Sequence, residues 1–494
     1  MRMNRFQKRR DFLKTTAAGA IGIMTVKFNR LFASPKAWTK VQINPAIDNA
    51  RVICCHDTKM LTSIPLNTNF GPTNSAVNAA VVSSNMDQMA MKLAQKSTAA
   101  DAWSTIFQKP AAKTWSNVRV AIKTNGIGGT TTNRPRVAIY KKLCDVLIDQ
   151  LGVQASNIVL YDACNDASQY YTTTYVSLTD STKIRAVVST RAASMGGFKA
   201  VTLVNATGIS CPADLVDGNI DILVNVAACK SHNGTGGNYN YGSCTLCMKN
   251  HLGTFTDGTQ AGHSDNLHVP NSGASPPPTP LALFEINQHT AILGGAPVRQ
   301  QLCIVDALLS NGASGPGGAW DNRTDRIVMG TFAPIVDYLS AKNILLNSTV
   351  MASSPMPALG VTHAATILPL FLTSFGYAVT DVQNSWIEYI PGTIDTVDPL
   401  SRELSGRPVQ VVLSHSSYKG ATAQFTVPRS AGPMNVSIVD GRGRLIRELS
   451  ASLDETTIVW DGLSTAGTPV SVGNYFVKVT SGAFKGTGSI VVRR

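Results

Sequence analysis

The amino-acid sequence predicts an α/β domain, a mostly parallel sheet with covering helices, followed by a small all-β sandwich. Three observations predict it. From about Val118 to Leu346 short apolar runs alternate with helical patterns, as in a parallel sheet covered by helices. From Ala423 onward the runs are short and alternating, separated by Gly, Asp and Pro turns, with no helical period. The chain has 494 residues, more than one compact core of roughly 250 to 300 residues holds.

Taken in order, the chain opens on a basic segment. Lys8 to Lys14 read K-R-R-D-F-L-K, and Thr15 to Val26 are uncharged and rich in Ala, Gly and Thr. Arg9, Arg10, Phe12, Leu13 and Lys14, with Asp11 in the variable slot, resemble a twin-arginine export signal. The resemblance implies a segment 1–33 removed after Ala33 or Ala37, the twin-arginine translocation machinery as partner, and a destination in the periplasm or at the cell surface. That route carries folded, often cofactor-loaded, proteins. A basic amphipathic arm is the competing reading, but the run is too short and weakly apolar to span a bilayer. Met1 to Ala33 carry 8 − 1 = +7 of the formal +13, leaving 13 − 7 = +6. Most of the basicity is thus in the signal, and no Arg/Lys cluster interleaved with aromatics points to nucleic acid. No later apolar run reaches the roughly 20 residues of a transmembrane segment.

Strands are expected at Val52 to Cys54, Val118 to Ile122, Ile158 to Tyr161, Asp221 to Ala227, Leu302 to Val305 and Arg326 to Met329. One helix is expected near Met86 to Phe107. A second opens at Pro135, repeats Val137, Tyr140, Leu143, Cys144, Leu147 and Ile148 at three-four spacing, and ends at Gly152. The proline-rich stretch Ser272 to Pro280 reads as an exposed loop. The expected organisation is an α/β domain over 38–395, a linker over 396–418 and the sandwich over 419–494.

Ligands of open parallel sheets bind outside the carboxyl ends of the strands, so the polar residues that follow each run are the candidates. Lys123, Asn125 and Gly126 follow the second run, with Gly128 and Gly129 beyond them; Asp162 follows the third; Cys229, Lys230 and His232 follow the fourth; Asp306 follows the fifth. Each alone has a plain alternative: the aspartates as caps, the lysines as solvated side chains. Their shared position favours a binding rim, with Lys123 and Lys230 neutralising an anionic small molecule, Asp162 or Asp306 binding metal or acting as base, and His232 or His263 as ligand or general acid/base.

Reactive groups are densest in 229–268, which holds Cys244-x-x-Cys247, Lys249, Asn250, His251, Gly253, His263, Asp265 and His268. A lone C-x-x-C is a weak metal signal, because a closed zinc or iron–sulfur site needs four ligands. Cys244 and Cys247 with His232, His263 and His268, or with His251 or Cys229 to make up the number, could hold a metal ion; a redox dithiol and plain buried thiols are the alternatives. The nine cysteines, an odd number, fit buried thiols or ligands better than a disulfide scaffold. G-I-G-G at 126–129 lacks the dinucleotide frame and no G-x-S-x-G elbow occurs.

Two further resemblances concern the domains. K-T-N (123–125), L-Y-D-A (160–163), N-V-A-A-C-K-S-H (225–232), M-K-N-H-L-G (248–253), His263, I-V-D-A-L (304–308), G-P (315–316) and A-P-I-V-D (333–337) are similar to the bacterial and archaeal family called domain of unknown function 362. The resemblance carries over Lys123, Asn125, Asp162, Lys230, His232, Lys249, Asn250, Gly253, His263, Asp306, Pro316 and Asp337, and leaves the reaction open. Some relatives carry a ferredoxin-like C-x-x-C-x-x-C module; this chain does not, which weakens an iron–sulfur role. V-D-G-R-G-R-L-I-R-E-L (439–449), V-W-D-G (459–462), G-T-P-V (467–470) and G-N-Y-F-V (473–477) resemble the immunoglobulin-like domain first named from the flagellar hook-capping protein. That implies Trp460 in a sandwich core, turns at Asp461-Gly462 and Gly467, and an attachment module able to meet an envelope or surface partner. The function expected is an exported metal- or cofactor-dependent enzyme acting on an anionic small molecule, the alternative a non-catalytic ligand- or metal-binding protein displayed through the sandwich.

Overall fold

The computed structural model describes residues 40–126, 131–232, 244–257, 267, 279–391, 410–412, 423–426, 434–451, 457–481 and 484–492. The chain divides into two units, Met1–Pro391 and Gly392–Arg494.

In the first unit the strands are β1 (Val52–His56), β2 (Val120–Lys123), β3 (Ile158–Tyr161), β4 (Val187–Val188), β5 (Phe198–Val201), β6 (Ile209–Pro212), β7 (Ile222–Ser231), β8 (Cys244–Thr245), β9 (Gln300–Asn311), β10 (Asn322–Gly330) and β11 (Trp386–Tyr389). A nine-stranded sheet runs β11-β1-β10-β9-β7-β2-β3-β4, with β8 on β7. Along this order from β4 to β9 every pair is parallel, while β8 is antiparallel to β7. β10 runs antiparallel to β9 and β1, against the expectation of a parallel partner, and β11 is parallel to β1. β5 and β6 form a separate hairpin.

The apolar runs lie in the sheet because both its faces are covered. Val120, Ile122, Ile158, Leu160, Val224, Val226, Leu302 and Ile304 belong to one core, while Ala121, Val159, Tyr161, Leu223, Ala227, Cys303 and Val305 belong to the other. Successive residues of each strand thus serve opposite layers, which is why the runs are continuously apolar.

The first core is closed by α1 (Ala79–Ala94), α2 (Ala99–Ile106) and α3 (Val137–Asp145). The single helix expected near Met86 to Phe107 is two helices. Gln95 turns left-handed at φ 53, and Thr98 accepts from Asp101 N to start the next. α3 runs on through a wider turn, Val146–Gln150, to Gly152 at φ 87, where the sequence places its end. The opposite core is closed by α4 (Cys247–Asn250), α5 (Leu281–Gln288), α6 (Ala333–Ser340) and α7 (Ala358–Thr373). No helix among the described residues is long and apolar enough to cross a membrane.

The second unit is all antiparallel strand. β12 (Gln410–Val412), β13 (Ala423–Thr426) and β16 (Thr457–Trp460) make one sheet. β14 (Met434–Asp440), β15 (Leu445–Ala451), β17 (Gly473–Ser481) and β18 (Phe484–Val492) make the other. β12 lies within 396–418, the span expected to be linker; three residues are too few for alternation to show.

Candidate functional site at the strand ends

Two of the sheet's central strands are long. Asn225 of β7 is level with Lys123, the last residue of β2, so Lys230 lies five residues further along, about 16 Å at the usual rise. Lys230 is therefore inside β7 rather than after it, and Asp306 is inside β9, opposite Ala228. Strand alternation then divides the candidates between the two faces. Lys123 and Asn225 share the face of Ala121 and Ala227, whereas Lys230 and Asp306 share that of Val226 and Ile304.

The first group is a closed polar network. Lys123 Nζ donates to Asp162 Oδ2 at 2.9 Å, Asn250 Oδ1 at 3.2 Å and the Thr124 carbonyl at 2.6 Å, so its three protons meet three acceptors. Asp162 also accepts from the backbone N–H groups of Gly126, Cys164 and Asn165. Gly253 allows this: a Cβ there would stand 2.6 Å from Lys123 Nζ and 2.8 Å from Asp162 Oδ1. Its carbonyl accepts from Ala163 N at 2.7 Å, fixing the loop against β3.

The orientation of each amide follows from its neighbours. Asn250 Nδ2 donates to Asn225 Oδ1 at 2.8 Å and to the Val226 carbonyl at 3.2 Å. Its Oδ1 is thereby the acceptor shared by Lys123 and by Asn125 Nδ2, the latter at 3.0 Å. Asn125 must present its nitrogen to Asn250, and its Oδ1 is left buried with no partner. Below this, His251 Nε2 is hydrogen-bonded with Gln300 Oε1 at 2.6 Å and lies 3.0 Å from Asn225 Nδ2, and its Nδ1 is hydrogen-bonded with Thr254 Oγ1 at 3.1 Å, which shares a bond of 3.0 Å with Tyr161 OH. Burial holds His251 neutral, lowering its pKa to about 3.

The second group is cationic. Lys230 is fully buried, and its Nζ donates to the Asn133 carbonyl at 3.0 Å. Burial, then Arg134, Lys249 and Arg136, hold its pKa well below the usual lysine range, while Asp162 acts in its favour. That carboxylate is already bonded to Lys123. Burial lowers Lys249 to about 7. Arg134 lies over the Tyr170 ring, 3.5 Å from its centroid. Arg136 is 1% exposed, donates through Nη2 to Asn133 Oδ1 at 2.8 Å, and leaves Nε without a partner. Asp306 accepts from Arg136 N at 2.7 Å and Leu308 N at 3.0 Å, so it caps the approach to α3. His232 is buried just past the end of β7.

The thiols separate. Cys244 lies by Cys229, whereas Cys247 lies by Cys303 and donates to the Ile304 carbonyl at 3.6 Å. All nine cysteines are buried and unbridged. Burial raises Cys244 and Cys247 well above the ordinary thiol range. Asp337 accepts from Cys247 N at 2.9 Å and Met248 N at 2.7 Å, and burial raises it to about 7. Among the described residues no three His, Cys, Asp or Glu side chains converge to hold a metal. The described donors do not fit one; His263 and His268 lie outside the described residues.

Sequence reasoning missed Asn225, Gln300 and Thr254, and weighed His251 only as a spare ligand. Asn225 was signalled by being a lone amide in the apolar run Ile222 to Ala228.

In the second unit Trp460 is fully buried, its ring 5.6 Å from that of Tyr475 on the facing sheet. Trp460 Nε1 donates to the Leu463 carbonyl at 2.9 Å, and Tyr475 OH to the Ser471 carbonyl at 2.7 Å. Gly462 and Gly467 take φ of 73 and 72 in the turns between. Residues 413–483 match the FlgD Ig-like domain. The FlgD Ig-like domain thus has the buried tryptophan and left-handed turn glycines its sequence implies. No curated protein matches the chain.

Three solved structures show short overlaps. PorZ, described as an essential bacterial surface component of the type-IX secretion system of Porphyromonas gingivalis, is 22% identical over 15% of this chain and 9% of its own, with a TM-score of 0.13. FLGD from P. aeruginosa is 17% identical over 18% of this chain and 74% of its own, TM-score 0.14. CopC from Methylosinus trichosporium OB3b is 21% identical over 17% and 92%, TM-score 0.12. The chain spans about a tenth of the length of PorZ.

Proposed function

We propose that the α/β domain binds an anionic small molecule at the strand-end rim and acts on it as an exported enzyme. The observation that supports this reading is Lys230, a fully buried amine whose cationic neighbours, Arg134, Lys249 and Arg136, oppose its own protonation. A cationic group of this kind is costly in a folded core unless an anion joins it. The Lys123–Asp162–Asn250 network positions the rim and holds no spare proton of its own. The frame from Lys123 to Asp337 supports membership of the domain of unknown function 362 family, and Arg9-Arg10 support twin-arginine export to the periplasm or surface. A resident metal ion rests on His263 and His268, and elemental analysis of protein from its native exporter decides it.

Calorimetric titration of the full chain with inorganic phosphate and with sulfate tests the anion site. Binding that falls at least tenfold in Lys230→Met, with unfolding unchanged, supports it; equal binding by both proteins overturns it. The FlgD Ig-like domain favours a second reading, display of a non-catalytic binding domain on the envelope. Deletion of 415–494 separates the two: the enzyme keeps its activity in solution, whereas the displayed protein loses its localisation.

A further inference from the structure

Arg191 stands at the same rim, and the anion reading above makes no use of it. β4 is parallel to β3, with Leu160 beside Val188, and Ser189 N extends the pairing by donating to the Leu160 carbonyl at 2.9 Å. Arg191 thus follows β4 directly, outside the carboxyl ends of the strands, where parallel sheets bind ligands. Ser168 Oγ and Thr190 Oγ1, 3.4 Å apart, join its loop to the one that follows Asp162.

The backbone holds Arg191 where a side chain is unfavourable. The Thr190 carbonyl accepts from Ala193 N at 3.1 Å, and Ser189 Oγ accepts from Ser194 N at 3.1 Å, closing a turn over residues 190–193. Arg191 is its first corner at φ 54, and Ala192 its second at φ −108 and ψ 14. A left-handed first corner is a position for glycine, and a long side chain there carries a steric cost. The same loop does place glycine at its other left-handed residues, Gly196 and Gly197, both at φ 73.

No internal contact offsets that cost. Arg191 is half-buried, and among the described residues its guanidinium makes no hydrogen bond and no ion pair; Nη1 is shut off from water with no partner. Arg119 and Arg185 differ: the one meets Asp214 at 2.6 Å, the other Asp145 at 2.9 Å. A sheltered donor without an acceptor is unfavourable, and the planar guanidinium fork fits two oxygens of one oxyanion. Backbone strain of this kind recurs at ligand clamps.

We infer that Arg191 is a second anion anchor, which takes an oxyanion group of a small-molecule ligand, carboxylate, sulfate or phosphate, at the β3–β4 edge of the rim. It acts independently of Lys230, and a ligand need not reach both.

Modification of the full chain by phenylglyoxal, read at Arg191 by peptide mass mapping, tests this with acetate, sulfate and inorganic phosphate as probes. At least one probe slows the reaction at Arg191 about tenfold, in the wild type and in Lys230→Met alike. Equal rates with and without every probe overturn the inference, and so does protection that vanishes in Lys230→Met, since the anion is then held at Lys230. Calorimetry gives a second reading. Adding Arg191→Gly to Lys230→Met weakens the protecting probe by about tenfold, while Arg191→Gly alone unfolds at the same temperature as the wild type or higher, because glycine relieves the turn. A lower unfolding temperature makes the side chain structural and overturns the inference. The anion reading at Lys230 fails separately, when the wild type and Lys230→Met bind phosphate equally.

Discussion

Lys123 and Lys230 are the same residue type on adjacent parallel strands, both fully buried, and their surroundings differ in kind. Lys123 meets a carboxylate, an amide oxygen and a carbonyl, and a glycine makes room for the arrangement. Lys230 meets one carbonyl and lies in the field of three other cations. A buried lysine is thus structural when the fold supplies its counter-charge. It is available to a ligand when the fold withholds one.

The largest test of that contrast removes the counter-charge. Asp162→Ala leaves the Lys123 ammonium buried and unpaired and costs about 3–5 kcal/mol in denaturant unfolding; a cost below about 1 kcal/mol would mean that the network is not what holds the rim. Gly253→Ala drives a methyl into the Lys123–Asp162 pair and costs about 1–3 kcal/mol. Lys230→Met does the opposite, leaving stability unchanged or raised by about 1 kcal/mol while anion binding is lost. A destabilisation equal to that of Asp162→Ala would erase the distinction between the two lysines.

The smallest effects are in pH. Lys249, about 7 when folded against 10.5 ordinarily, is neutral in the folded chain and charged in the unfolded one between those values. The unfolded state then binds more protons, so this group makes stability rise with pH from about 7 to 10.5, by up to about 1.4 kcal/mol per unit. Asp337, raised from 3.8 to about 7, makes stability fall as pH rises from about 4 to 7, because the folded state holds the extra proton. Thermal unfolding of Lys249→Met shows a smaller alkaline rise, the part due to buried Lys230 remaining, and Asp337→Asn lessens the fall on the acid side. Anion affinity falls as pH passes 7 in the wild type, and an affinity that rises instead would remove Lys249 from the electrostatics of the rim.

The fold was legible where strands are short and apolar on both faces. Ile158–Tyr161 has the bounds its run suggests. Legibility failed where polar residues lie inside strands. Cys229, Lys230 and Asp306 read as rim residues because each ends an apolar run, yet β7 and β9 continue past them. A fully paired neighbour on both sides keeps a polar residue in a strand, and pairing is invisible in one segment. Of the site, Lys123, Asp162, Asn125, Asn250, Gly126 and Gly253 do come together. The Cys/His set does not do so among the described residues.

The sequence by itself determined that these residues exist near strand ends, that the chain carries two domain types, and that Trp460 centres the FlgD Ig-like domain. Those depend on local periodicity and on short motifs, which a single segment contains. Only the tertiary structure decided which lysine has a counter-ion, which amide oxygen is orphaned and which face of the sheet each candidate occupies. These depend on register between strands distant in sequence, and a one-residue change in register exchanges the faces.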